Sequence, residues 1–313
     1  METLSIRIGD KSLDHKVFEG NKFPNICPGN VADHLEKIKD MECRHDDVFI
    51  MSYPRSGTHW LREIVSMLMK GKAEYIQNDN IDFPIELLDI RTIEQEPSPR
   101  VFYSHMPFRY LPRNHVGRKG KVIGCFRNPK DVMTSAFHFF NKVSFQVEWD
   151  EYFNVLLEGN GPYGCWFDWR EQWERVLDED TETPPLTVTY EDTSRNLKRQ
   201  VRRIAEYLGV PYTEKLIAEI THACEFNNMR LAKTQTKSNM MKRIKDAVKD
   251  LENSTPEDIN KNRGGHSTII RKGTVGDWKT LFSKDQRQRF NTVYRNKTLP
   301  GTRLDFKGYL EDN

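Results

Sequence analysis

The segment VFIMSYPRSGTHW, residues 48–60, constrains the fold more than any other part of the chain. Residues 48–53 form a short, mostly apolar run, as in a strand buried on both faces. Residues 54–57 supply a tight turn. From Thr58 to about Lys70 the apolar residues Trp60, Leu61, Ile64, Val65 and Leu68 share one helical face, and Gly71 is a fitting stop. The pattern recurs. Residues 121–126 (KVIGCF) predict a strand, and Asn128 and Pro129 then cap and start a helix through Phe140. Residues 186–190 (LTVTY) predict another strand, followed by a helix carrying Leu197, Val201, Ile204 and Leu208 that stops near Gly209. Residues 101–104 (VFYS) predict a further short strand. Strands alternating with helices predict an α/β fold with a central parallel sheet and helices on both faces. With no internal repeat and no long linker, residues 1–313 are expected to form a single domain, with residues 1–17 as an N-terminal extension. Ligands of such sheets bind beyond the carboxyl ends of the strands.

The turn between the first strand–helix pair carries chemistry. Backbone amides at a helix start, with the Ser56 and Thr58 hydroxyls, make an anion cradle; Gly57 admits close approach and Arg55 adds charge. It is not a Walker A loop, because Ser52 stands at the first Gly position and Thr58 at the Lys position. The G-x-G-x-x-G match at residues 159–164 follows a helical stretch and contains Pro162, the wrong context for a dinucleotide fold. With 48 basic and 46 acidic residues the net charge is only +2, so neither nucleic acid nor an acidic membrane surface is implied. Five cysteines without a C-x-x-C pair argue against a disulfide framework or zinc, and no metal-ligand spacing is present. The charged N-terminus lacks the apolar run of a signal peptide, and no stretch reaches a membrane-spanning length. A soluble, cytoplasmic protein is expected.

The segment Tyr53-Pro54-Arg55-Ser56-Gly57-Thr58-His59-Trp60 resembles the 5′-phosphosulfate loop of the cytosolic sulfotransferase family, Y-P-K-S-G-T-x-W. Arg127-Asn128-Pro129-Lys130-Asp131-Val132 with Ser135, Tyr190-Glu191-Asp192, and residues 271–279 (RKGTVGDWK) resemble further motifs of that family, in the same order. The likeness runs from about residue 18 to 308. It implies a P-loop-like turn that binds 3′-phosphoadenylyl sulfate and releases 3′,5′-adenosine bisphosphate, without a metal. It assigns Arg55, Ser56, Gly57, Thr58, His59 and Trp60 to the 5′ side of the donor, and Arg127, Ser135, Arg271, Lys272 and Gly273 to the 3′-phosphate. Trp60 and Phe226 would enclose adenine, with Tyr190 and Cys224 nearby. Ser104-His105-Met106-Pro107 matches most of the family's K-[ST]-H-x-P, which makes His105 the general base and Arg55 its catalytic partner. Read as residues alone, a lone Arg127 is equally a surface ion pair, and Trp60 or Phe226 equally core.

The family pattern is not complete. Arg55 and Tyr103 stand where the family has lysines, and Cys224 where it has Thr. Residues 279–288 (KTLFSKDQRQ) keep only the Lys of the usual dimerisation element, so a monomer or a dimer through another surface is expected. The acceptor is expected to be a small phenol, alcohol, steroid or amine; Phe83, Tyr103, Phe108, Phe139 and Phe140 are candidates for its pocket, although each Phe fits core packing equally well. Residues 233–270, polar and turn-rich, predict a loop or lid, helical in part around 237–251. A nucleotide-binding protein of the same fold with little or no catalysis stays open as the alternative function.

Overall fold

The structure is a computed structural model that describes residues 2–76, 81–117, 120–143, 146–179, 184–235, 270–298 and 300–310. The expected lid therefore lies, from residue 236 to 269, outside the described residues. The chain opens with three antiparallel strands, β1 (Glu2–Ile8), β2 (Lys11–Phe18) and β3 (Asn21–Pro24), ordered β1-β2-β3. Helix α1 (Val31–Asp40) leads to β4 (Val48–Ser52) and α2 (Thr58–Lys70). The short helix α3 (Ile90–Gln95) precedes β5 (Val101–Ser104), and α4 (Arg113–Gly117) precedes β6 (Lys121–Phe126). Helices α5 (Pro129–Val143), α6 (Trp149–Leu157) and α7 (Trp166–Asp178) follow, then β7 (Leu186–Thr189) and α8 (Tyr190–Arg195). Helices α9 (Leu197–Leu208), α10 (Glu214–Ala223), α11 (Phe226–Gln235) and α12 (Lys284–Lys297) complete the described strands and α-helices. Among the described residues no helix is long and apolar enough to cross a membrane.

The four central strands are parallel, in the order β5-β4-β6-β7. Every residue of β4 is buried, and the two-residue period of a strand divides them between two cores. Phe49 and Met51 pack with Phe102, Val122 and Phe126 against α1, α7 and α12. Val48 and Ile50 pack with Val101, Ile123 and Cys125 against α2, α9 and α10. The two faces are thus both helix-covered, as the sequence predicts. Gly71 and Gly209 end α2 and α9 in left-handed conformations (φ +63° and +71°).

The segment expected as an N-terminal extension is described from residue 2. Residues 2–8 and 11–18 are strands of the antiparallel sheet. Ile6 and Ile8 are buried beside Tyr152 and Val155 of α6. The signal lay in the alternation of Leu4, Ile6 and Ile8 and in the turns at Gly9 and at Glu19-Gly20, all three with positive φ.

Candidate functional site

The carboxyl ends of β4, β5 and β6 converge on one cavity of about 490 Å³. The β4–α2 turn forms its floor. Arg55 has φ +70°, an unfavourable conformation for a residue with a Cβ, and Gly57 has φ +105°. Gly57 is the N-cap of α2 and supplies no side chain to the first-turn amides, leaving the helix start open to an anion. A Cβ at Gly57 would lie 2.8 Å from the Tyr190 ring. Thr58 and Ser52 hydroxyls are 2.7 Å apart, which ties the helix start to the strand end.

Three guanidinium groups meet around this turn. Arg55 Nε donates to Ser135 Oγ (3.2 Å), and its guanidinium lies over the Phe139 ring at 4.6 Å. Arg127, which follows β6, donates to the carbonyls of Arg55 and Thr274 (3.3 Å each) and stacks on Tyr190 at 4.2 Å. Arg271 and Lys272 both pair with Asp277, Lys272 at 2.8 Å. Burial, then Arg127, then Arg271 lower the Arg55 pKa to about 10, so it stays charged at neutral pH within a concentrated positive field. The sequence motifs are welded together by carboxylates. Asp131 on α5 accepts from the amides of Gly276 (2.8 Å) and Trp278 (2.9 Å), and Glu191 accepts from the amide of Asn128 (2.9 Å).

Trp60 and Phe226 line the same cavity. The Trp60 indole donates to the Cys224 carbonyl (2.8 Å) and meets Tyr190 edge-on at 5.3 Å. Phe226 lies so close to Gly273 that a Cβ there would come within 2.1 Å of its ring.

His105 follows β5. Its Nδ1 is 2.7 Å from the Ser52 carbonyl, which can only accept, so Nδ1 carries the proton and Nε2 presents a lone pair. Tyr103 and Tyr163 flank the ring edge-on. Burial, and secondarily Arg55, lower its pKa to about 4. A group that the sequence did not disclose holds the backbone here. Glu86, fully buried, accepts from the His105 amide (3.0 Å) and the Ser104 hydroxyl (2.8 Å). Nothing in its local sequence distinguishes it from a surface carboxylate.

Most of the expected site residues line the cavity: Arg55, Gly57, Thr58, His59, Trp60, Phe83, Tyr103, His105, Arg127, Ser135, Phe139, Tyr190, Phe226, Arg271, Lys272 and Gly273. Three do not. Phe108 packs edge-on against Trp173 in the core at 6.0 Å, so it does not form the pocket wall. Cys224 is fully buried with its thiol against Met67 and contributes through its carbonyl to Trp60. Ser56 is buried behind the turn, its hydroxyl without a partner and its carbonyl accepting from Cys125 Sγ. Tyr103 faces the cavity, but its hydroxyl donates to the Asp82 carbonyl (3.2 Å). The 159–164 segment, no dinucleotide loop, braces the turn: Tyr53 donates to the Gly164 carbonyl (2.8 Å).

The family model described as "Sulfotransferase domain" matches residues 45–302. Sulfotransferase 1B1 of Canis lupus familiaris is 31% identical over 290 residues, covering 88% of this chain and 91% of its own. The amine sulfotransferase of Oryctolagus cuniculus is 30% identical over 271 residues, 84% of each chain. The crystal structure of mouse sulfotransferase SULT7A1 complexed with PAP superposes with a TM-score of 0.70 at 25% identity, covering 92% of this chain and 96% of that one.

Proposed function

The chain belongs to the sulfotransferase family, and from that premise we propose that it moves a sulfuryl group from 3′-phosphoadenylyl sulfate to a hydroxyl or amine of a small acceptor, with His105 as general base. The observation that carries this reading is the convergence of Arg55, Arg127 and Arg271 on the cavity that His105 also lines. The adenosine bisphosphate bound in the mouse relative supports the same donor. The chain's own residues fit such a polyanion: Arg127 and Arg271 line the cavity, and the Nε of each is buried without a hydrogen-bond partner.

Bound, the donor supplies an activated sulfuryl group on a nucleotide leaving group. The open amides of α2, the Thr58 hydroxyl and Arg55 hold its 5′ end, with His59 beside them on the first turn. Arg127, Ser135, Arg271 and Lys272 grip the 3′-phosphate, and Gly273 brings the backbone close. Trp60 and Phe226 take the adenine between them. His105 Nε2 accepts the proton of the acceptor O–H or N–H as the new bond to sulfur forms, while the Ser52 carbonyl keeps the ring in the required tautomer. Arg55 stabilises negative charge on the moving group and the leaving phosphate.

The test is His105→Ala. Turnover should fall at least about 100-fold, while thermal stabilisation by 3′,5′-adenosine bisphosphate remains. A variant with near-normal turnover would place the base elsewhere. Wild-type protein that binds the nucleotide yet turns over no acceptor would make this a binding protein.

A further inference from the structure

The Arg55 guanidinium carbon lies 4.6 Å from the centroid of the Phe139 ring, while its Nε donates to Ser135 Oγ at 3.2 Å. Ser135 and Phe139 are four apart on α5 and so share one face of that helix, a turn from each other. Helix α5 thus offers a hydroxyl and a ring at the spacing of a single guanidinium. A planar guanidinium engages both at once, an in-plane N–H with the hydroxyl and its face with the ring, a combination that a compact ammonium does not match. The ring is itself braced. Phe140 meets it edge-on at 5.9 Å and packs in turn against Tyr152 of α6 at 5.7 Å. All five residues line the cavity.

A ring is a fitting partner for a cation whose charge is needed elsewhere. Three guanidinium groups share this end of the cavity, and after burial it is Arg127 and Arg271 that disfavour the charged form of Arg55. A carboxylate would steady Arg55 and cancel the charge that the donor is proposed to meet. An aromatic face attracts a cation through its quadrupole and leaves the full charge in place. The same arrangement recurs beside it, where the Arg127 guanidinium carbon lies 4.2 Å from the Tyr190 centroid.

We propose that Phe139 is a positioning residue for Arg55: its ring holds the guanidinium at the β4–α2 turn, aimed at the 5′ end of the donor. This rests on the donor-site reading above and adds the group that orients its charge-stabilising cation. The ring thereby acts on the donor side of the cavity, beyond the acceptor wall for which its apolar character first marked it.

The experiment replaces Phe139 with 4-fluoro-, 3,5-difluoro- and 3,4,5-trifluorophenylalanine, which nearly keep the ring's shape while draining its negative face, and separately with Leu. For each protein, calorimetry reads the Kd of 3′,5′-adenosine bisphosphate and of adenosine 3′-phosphate, which lacks the 5′ group. The Kd of the bisphosphate should rise stepwise with fluorine, by about 3- to 30-fold at the trifluoro end and in Phe139→Leu, the range of one cation–π contact. The Kd of the 3′-monophosphate should stay constant, because a ring that merely supported the fold would move both nucleotides together. At saturating donor, kcat should fall in the same order. In an Arg55→Ala background the fluorine series should be flat. Equal changes for the two nucleotides, or no trend with fluorine, overturn the proposal. So does a trend confined to the Kd of 2-naphthol measured with the bisphosphate bound, which would make Phe139 an acceptor wall only. Misfolding of Phe139→Leu leaves the near-isosteric fluorine series decisive. Failure of the transfer reading looks different: no turnover in the wild type, with the difference between the two nucleotides still following fluorine.

Discussion

Arg55 concentrates the physical argument at the scale of single residues. A guanidinium stands where relatives are expected to carry a compact ammonium, and its planar fork has a different reach and different hydrogen-bond directions. Its position is nevertheless well determined, by the Ser135 hydroxyl on one side and the Phe139 ring beneath it. The left-handed backbone at φ +70° aims the side chain into the cavity rather than along the helix, a strain that sites of function tolerate. Arg55→Ala should cost roughly 10²–10³ in kcat at saturating donor, the scale for losing one preorganised charge-stabilising group. Full activity in that variant would remove Arg55 from the chemistry while leaving the donor site standing. Tyr103, the other departure, keeps no charge, and its hydroxyl is engaged by the Asp82 carbonyl. That leaves Arg55 as the cation of these two positions.

At the scale of elements, the proposed donor site is a junction between segments distant in sequence. Asp131 fastens the start of α5 to residues 276–278, and Lys130 lies over the Trp278 ring at 4.0 Å while donating to the Leu310 carbonyl. Gly273 and Phe226 show how tight the junction is. At φ +72° and with the Phe226 ring in the space of a Cβ, Gly273 cannot take a side chain without displacing the ring that is proposed to cover adenine. Gly273→Ala should therefore abolish most of the thermal shift given by 3′,5′-adenosine bisphosphate. Gly29→Ala is the control: it shares a positive φ of +53° but meets no atom within 4 Å. It should lower the melting temperature somewhat and leave the nucleotide-induced shift intact. An equal loss of the shift in both variants would show that backbone strain, and not the clash with Phe226, is responsible.

At the scale of the whole molecule, burying histidines makes stability depend on pH. His15 and His105 are both held near pKa 4 in the folded chain, against about 6.5 when unfolded. The unfolded state then binds more protons between those values, so these groups contribute stability above pH 6.5 that is lost as pH falls toward 4. The buried carboxyls Glu86, Asp131 and Glu191 are raised by burial, Glu191 to about 7, and oppose this trend, losing stability as pH rises. The cleanest measurement is differential. His15→Phe should gain stability relative to wild type, on the order of 1–3 kcal/mol, as pH drops from 6.5 to 4.5. Parallel denaturation curves for the two proteins across that range would show that His15 is not held neutral by the fold.

What the sequence determined by itself is what is local along the chain. The strand–turn–helix units at 48–70, 121–143 and 186–208 were legible because apolar periodicity, the capping Asn128 and the stop at Gly71 each act within a few residues. The anion cradle at the start of α2 was legible for the same reason, since it is built from consecutive amides and hydroxyls, whereas the grouping of residues 127–135 and 271–279 with it came from the family resemblance. Tertiary structure alone decided which side chains share a space. Phe139 lines the cavity and Phe108 fills the core, although both are apolar aromatics beside motif residues, because the choice depends on Trp173 far along the chain. The Cys224 thiol points into the core and its carbonyl toward Trp60, a matter of how α10 docks on α2. Glu86 became a support of His105, and the first strands became part of the cavity lining, through contacts between segments that no short window of sequence contains. Periodicity says which face of an element is buried; only the packing of that face against its partner says what it is buried against.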